Sequence, residues 1–322
     1  MSVTRPPFDP ELALTLDAIR DRLPPTVTPE MVRPMRDAPP PVGIDEVLAG
    51  RSITRRDHTI AGYEGGQIEA TVFARDGHTG VGPGIVRFHG GGMVMGSRFA
   101  GINQTLAWVE RFDAVCVTVD YRLAPEHPDP YPVEDCYATL FWTVEHAAEL
   151  GIDPDRIVVS GPSAGGGLTA GVALLARDRG GPGLLGQMLV SPMLDDRNDT
   201  VSSHQIDGVG VWDRGSNDTG WNALLGGRRG TEAVPGYAAP ARATDLAGLP
   251  PAFIECGSAE VFRDEDVAYA SGLWAAGSQA ELHVAGRVPR VRPARPERPA
   301  LEGHDRRPRR LDGATPRFVT GC

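Results

Sequence analysis

The stretch Arg156-Ile157-Val158-Val159-Ser160-Gly161-Pro162-Ser163-Ala164-Gly165-Gly166-Gly167 decides how this chain is read. Its β-branched run over 156–160 predicts a strand, and the Ala- and Leu-rich run over 165–177 predicts a helix. Between them lies Gly-x-Ser-x-Gly, with Ser163 at its centre. A strand-to-helix turn this tight forces its central residue into a strained conformation, and the flanking glycines make room for it. The hydroxyl then stands at a helix N-terminus, where backbone N–H groups and the helix dipole stabilise a developing negative charge. In isolation the pattern is as often a glycine-rich turn. Between a buried strand and a helix it marks Ser163 as a candidate nucleophile.

A second element lies upstream. Residues 84–88 read as a strand that runs into His89-Gly90-Gly91-Gly92-Met93. Consecutive glycines after a strand bare their N–H groups, which is what a tetrahedral oxyanion needs. The competing readings are a flexible loop or a phosphate cradle. A phosphate loop closes on Lys-Ser or Lys-Thr, and this chain has no lysine.

Four stretches together resemble the hormone-sensitive-lipase family of α/β-hydrolases, in its bacterial esterase branch. They are residues 89–92, the run Asp120-Tyr121-Arg122-Leu123-Ala124-Pro125-Glu126-His127-Pro128, Gly161 to Gly166, and Ser191-Pro192-Met193-Leu194-Asp195. With 257–284 they cover the chain from about residue 40 to 284. The resemblance implies an oxyanion hole built from the amides of Gly91, Gly92 and Ala164. Pro162 stands where the family usually has Asp or Thr, a side chain with no catalytic part.

The resemblance also implies an α/β-hydrolase fold: a mostly parallel sheet, helices on both faces and a helical cap. The strand and helix alternation supports it: strand 114–119, helix 132–150, strand 186–190, strand 251–256, helix 264–276 and strand 280–284. In such sheets the functional loops lie at the carboxyl ends of strands, where Gly91, Ser163 and Glu260 fall. A helix over 10–22 and the Pro-rich run after it make residues 1–45 an N-terminal cap region. Residues 46–284 form the core, within which 195–240 complete the cap and pocket.

Composition narrows the field. At 322 residues and 41% hydrophobic content the chain buries one sizeable core. No apolar run reaches membrane-spanning length, and the N-terminus lacks the apolar stretch of a signal peptide. Cys116, Cys136, Cys256 and Cys322 show no pairing or metal spacing, so a cytoplasmic protein without disulfides or metal is expected. Net charge is −10, with ten of the 32 basic residues in 285–322. An acidic body argues against a nucleic-acid partner.

A serine nucleophile needs a base, and the base needs an orienting carboxylate. The chain order in this fold is Ser, acid, His. Glu260 occupies the place of the family's catalytic acid, and Asp264 matches its second, non-catalytic Asp. Where the family supplies its histidine, in a Pro-Gly-x-x-His-Gly-Phe loop, this chain has Ala285-Gly286-Arg287-Val288-Pro289-Arg290-Val291-Arg292-Pro293. Reading the codons of that run one base later permits Pro-Gly-Gly-Phe-His-Gly-Phe-Asp. Residues 285–322, an atypical Arg/Pro-rich tail, are therefore suspected to follow a frameshift. The rival is a divergent tail in which His304 serves as base.

What the resemblance implies is hydrolysis of small, short-acyl carboxylic esters through a serine acyl-enzyme, without cofactor and with a possible homodimer. A chain that kept the pocket but lost the base would be a non-catalytic small-ligand-binding protein on the same fold.

Overall fold

The computed structural model describes residues 3–19 and 24–286. Three helices come first: α1 (Pro10–Ile19), α2 (Pro29–Asp37) and α3 (Ile44–Leu48). There follow β1 (Ile53–Ala61), β2 (Gln67–Arg75), β3 (Gly82–Phe88), α4 (Asn103–Phe112) and β4 (Val115–Asp120). Next are α5 (Tyr131–Glu145), α6 (Ala147–Leu150), β5 (Ile152–Pro162), α7 (Ala164–Asp178) and β6 (Gly186–Val190). The last are α8 (Val201–Gln205), α9 (Arg214–Leu225), β7 (Ala252–Gly257), α10 (Arg263–Ala275) and β8 (Ala280–Ala285).

The strands form one eight-stranded sheet in the order β1-β2-β4-β3-β5-β6-β7-β8. Only β1 with β2 and β2 with β4 pair antiparallel; the other pairs are parallel. Parallel strands are covered on both faces, so they read as continuous apolar runs rather than alternations. Val115-Cys116-Val117-Thr118-Val119 of β4 is buried throughout. Cys116 in β4 and Cys256 in β7 are small core residues with free thiols, and burial pushes the Cys116 thiol up to about 12.

Helix α7 is buried at every position from Ala164 to Ala176. Its first turn approaches β3 so closely that a Cβ on Gly165 would lie 2.2 Å from the Phe88 carbonyl oxygen. Only glycine fits there. The chain passes from β3 to β4 on one side and then crosses to β5 on the other. The crevice at such a reversal, outside the carboxyl ends of the strands, is where ligands bind in open α/β sheets.

Two expectations differ in detail. The helix expected over 132–150 breaks at His146, whose Nδ1–H donates to the Trp142 carbonyl at 2.9 Å. The helix expected over 10–22 is helical over Pro10–Ile19, and residues 20–23 lie outside the described residues. No helix among the described residues is long and apolar enough to cross a membrane.

Candidate active site

Ser163 sits between β5 and α7 at φ 58 and ψ −123, a conformation that costs a non-glycine residue on the order of 1–3 kcal/mol. The surroundings hold it there. Its N–H donates to the Val190 carbonyl at 2.8 Å, and its carbonyl accepts from Gly167 and Met193, each at 3.0 Å. A Cβ on Gly161 would meet the carbonyl carbon of Gly165 at 2.3 Å, so the flanking glycines make the turn possible.

The glycine loop lands directly on this turn. Strand β3 neighbours β5, with Arg87 opposite Ser160, so the chain leaving β3 arrives beside Ser163. A Cβ on Gly90 would lie 3.0 Å from the Pro162 carbonyl oxygen and 3.3 Å from Ser163 Cβ. Gly91, Gly92 and Met93 follow with φ of 119, 62 and 61. Among the described residues, no acceptor engages the N–H of Gly91 or Gly92. Ala164 begins α7, so its N–H has no partner within the helix. The three candidate oxyanion donors thus flank the serine.

His89 is a brace for this loop. Its Nδ1–H donates to the Gly90 carbonyl at 2.7 Å, and its ring stacks on Tyr121 at 4.2 Å. The Tyr121 hydroxyl donates to the His89 carbonyl at 2.9 Å. Burial lowers the His89 imidazole to about 4, so it is neutral at physiological pH.

Glu260 follows β7 and is 5% exposed; its Oε1 accepts the Val261 N–H at 3.1 Å. Asp264 faces elsewhere: its carboxylate accepts the Ser202 N–H at 2.7 Å and the Arg263 guanidinium at 2.8 Å. That pair ties the start of α8 to α10. Glu265, which sequence reading passed over, is fully enclosed and accepts the Leu194 N–H at 2.7 Å. Loss of solvent raises its carboxyl well above the usual range. In the sequence it is one of three acids opening a helix, indistinguishable from a solvated first turn.

Above these groups two distant segments meet. Thr26 Oγ1 donates to Asp213 at 2.6 Å and the Val27 N–H to Ser216 Oγ at 2.8 Å. Phe8, Leu12 and Leu16 of the N-terminal segment face Ile206 and Trp212 across a pocket that also exposes Glu260. Trp212 lies so close to the glycine loop that a Cβ on Gly92 would meet its Cη2 at 2.2 Å. Trp212 lies within 195–240, the run expected to complete the cap and pocket, but no periodicity there singles the residue out.

Among the described residues, no hydrogen bond, ion pair or ring contact joins a histidine to Ser163 or Glu260. His58, His127 and His146 pack on aromatic rings, while His78, His204 and His283 face acidic side chains. His304 lies outside the described residues.

An eight-stranded, mostly parallel sheet with a strained serine at the β5–α7 turn defines an α/β-hydrolase. A family model described as alpha/beta hydrolase fold matches residues 85–290, and the chain belongs to that family, in its hormone-sensitive-lipase branch. It is 41% identical over 202 residues to carboxylesterase NlhH of Mycobacterium tuberculosis, which covers 62% of this chain and 63% of that protein. Human hormone-sensitive lipase is 40% identical over 92 residues, 29% of this chain and 9% of its own length. Among solved structures, a bacterial heroin esterase superposes with a TM-score of 0.77 at 36% identity, covering 86% of this chain and 88% of that one. The chain thus spans less than two thirds of the curated relatives it matches.

Proposed function

We propose that this protein is a serine carboxylesterase acting on small, short-acyl esters. Ser163 attacks the ester carbonyl, and the amides of Gly91, Gly92 and Ala164 hold the oxyanion, each such donor lowering the barrier by about 2.7–4 kcal/mol. Glu260 orients a histidine that takes the serine proton and returns it to the leaving alcohol. The observation that carries this reading is the strained backbone of Ser163, with the glycine loop packed against it at Gly90. The names of the relatives, carboxylesterase and esterase, agree with it. No cofactor or metal enters the chemistry.

The base comes after β8, either as His304 or as a histidine whose codon straddles Pro289 and Arg290 in the shifted frame. Intact mass of the purified protein and resequencing across codon 285 separate the two. A fully active enzyme whose terminal peptide is Phe318-Val319-Thr320-Gly321-Cys322 promotes His304.

Among the described residues no histidine hydrogen-bonds to Ser163, which favours a second reading: a small-ligand-binding protein without a working base. Turnover of chromogenic short-acyl esters that disappears in Ser163→Ala supports the esterase. Ligand binding without any turnover supports the second reading.

A further inference from the structure

Arg36 lies in the last turn of α2, and its side chain is 16% exposed. All three of its guanidinium nitrogens donate. Nε binds the Val94 carbonyl, Nη2 binds the Ala124 carbonyl, and Nη1 binds both oxygens of Glu126 at 2.8 Å.

Those acceptors form the back of the candidate oxyanion turn. The N–H groups of Val94 and Met95 donate to the Gly91 carbonyl at 3.1 and 2.9 Å, which closes the turn over Gly91–Met95. The Ala124 N–H donates to the Met93 carbonyl at 3.0 Å. The turn is therefore held from behind at two successive carbonyls, Met93 by Ala124 and Val94 by Arg36, while Arg36 also grips Ala124 itself. Among the described residues no other donor reaches the Val94 carbonyl. A planar fork with five donors can close such a ring; a lysine ammonium, a single point charge, cannot span it.

Resting on the esterase reading, we propose that Arg36 is a positioning residue that fixes the direction of the Gly91 and Gly92 N–H groups. The N-terminal segment then helps to build the oxyanion hole as well as to cover it. Donors to an oxyanion must lie within a few tenths of an ångström of their ideal distance, and a misplacement of about 1 Å costs on the order of 100-fold in rate.

The test compares the full chain with Arg36→Ala and Arg36→Lys on a p-nitrophenyl butyrate substrate, well below the melting temperature of either variant. Arg36→Ala is expected to lower kcat by roughly 10- to 100-fold with KM nearly unchanged. It should weaken a trifluoromethyl ketone, which forms a tetrahedral adduct, by the same factor. Millimolar guanidinium chloride should restore part of the rate, and Arg36→Lys should recover little. Hydrogen exchange of the 89–96 peptide should accelerate in Arg36→Ala. A lower melting temperature with kcat and the exchange of 89–96 unchanged overturns the proposal and leaves only a structural clamp. If the parent shows no Ser163-dependent turnover, the esterase reading fails by itself. The exchange of 89–96 still decides the role of Arg36, and unchanged exchange overturns it.

Discussion

The backbone N–H of Ser163 is bonded to the carbonyl of Val190, the last residue of the neighbouring strand β6, at 2.8 Å. The turn that presents the serine is thus anchored to the sheet on the side away from the glycine loop. Its positive φ is imposed by the sheet rather than chosen by the residue.

Ser163→Ala is therefore expected to lose ester turnover by on the order of 10⁶-fold while keeping the strain. Ser163→Gly should be equally inactive but more stable than Ser163→Ala, by about 1 kcal/mol, because glycine adopts this conformation freely. Urea unfolding of the two variants measures the difference. An alanine variant as stable as the glycine one would show that the turn carries no strain.

Glu260→Gln should lower kcat by about 10⁴-fold with the fold intact, the size of effect seen when a triad acid is neutralised. Asp264→Asn should leave kcat near the parent value and lower the melting temperature, since it loosens the α8–α10 tie at Ser202. Equal kinetic losses in both variants would remove the distinction between the two carboxylates.

His89 sets a pH limit on stability. Its imidazole falls from 6.5 to about 4 through burial, so the folded state binds fewer protons than the unfolded chain between those values. The stability held by the neutral ring is complete above pH 6.5 and is lost as pH drops toward 4, on the order of 3 kcal/mol in all. Unfolding free energies at pH 7.5 and 4.5 should differ less in His89→Gln than in the parent. An equal difference would place the proton elsewhere.

Trp212→Ala removes the indole that lies against Gly92 and lines the pocket beside Glu260. The ratio of kcat/KM for hexanoate over acetate esters should rise. A ratio that stays constant would put the limit on ester size somewhere other than Trp212.

The parts of the molecule legible in the sequence are those where local geometry leaves few choices. Gly161, Gly165, Gly90 and Gly91 are glycines because backbones touch there, and such positions announce themselves in a single sequence. The central parallel strands were legible as apolar runs. Strand β1 was not: Ile53-Thr54-Arg55-Arg56-Asp57-His58 belongs to a sheet edge, where charged side chains blunt further pairing and hide the strand signal. Arg36 and Trp212 act through partners more than 50 residues away or through irregular backbone, and neither leaves a local pattern. The Ser-acid-His order says only that a base should follow Glu260, and His304 lies outside the described residues.

The bond between the Val27 N–H and Ser216 Oγ joins residues 189 positions apart. On the ribosome, at roughly 5–20 residues per second, Val27 waits about 10–40 seconds for its partner to be made. The sheet from β3 to β6 can assemble in that interval, since these four strands pair with one another within residues 82–190. The pocket cannot. Until residue 216 arrives, the N-terminal segment has no partner to close the pocket against, so the covering of the site is the late event of synthesis.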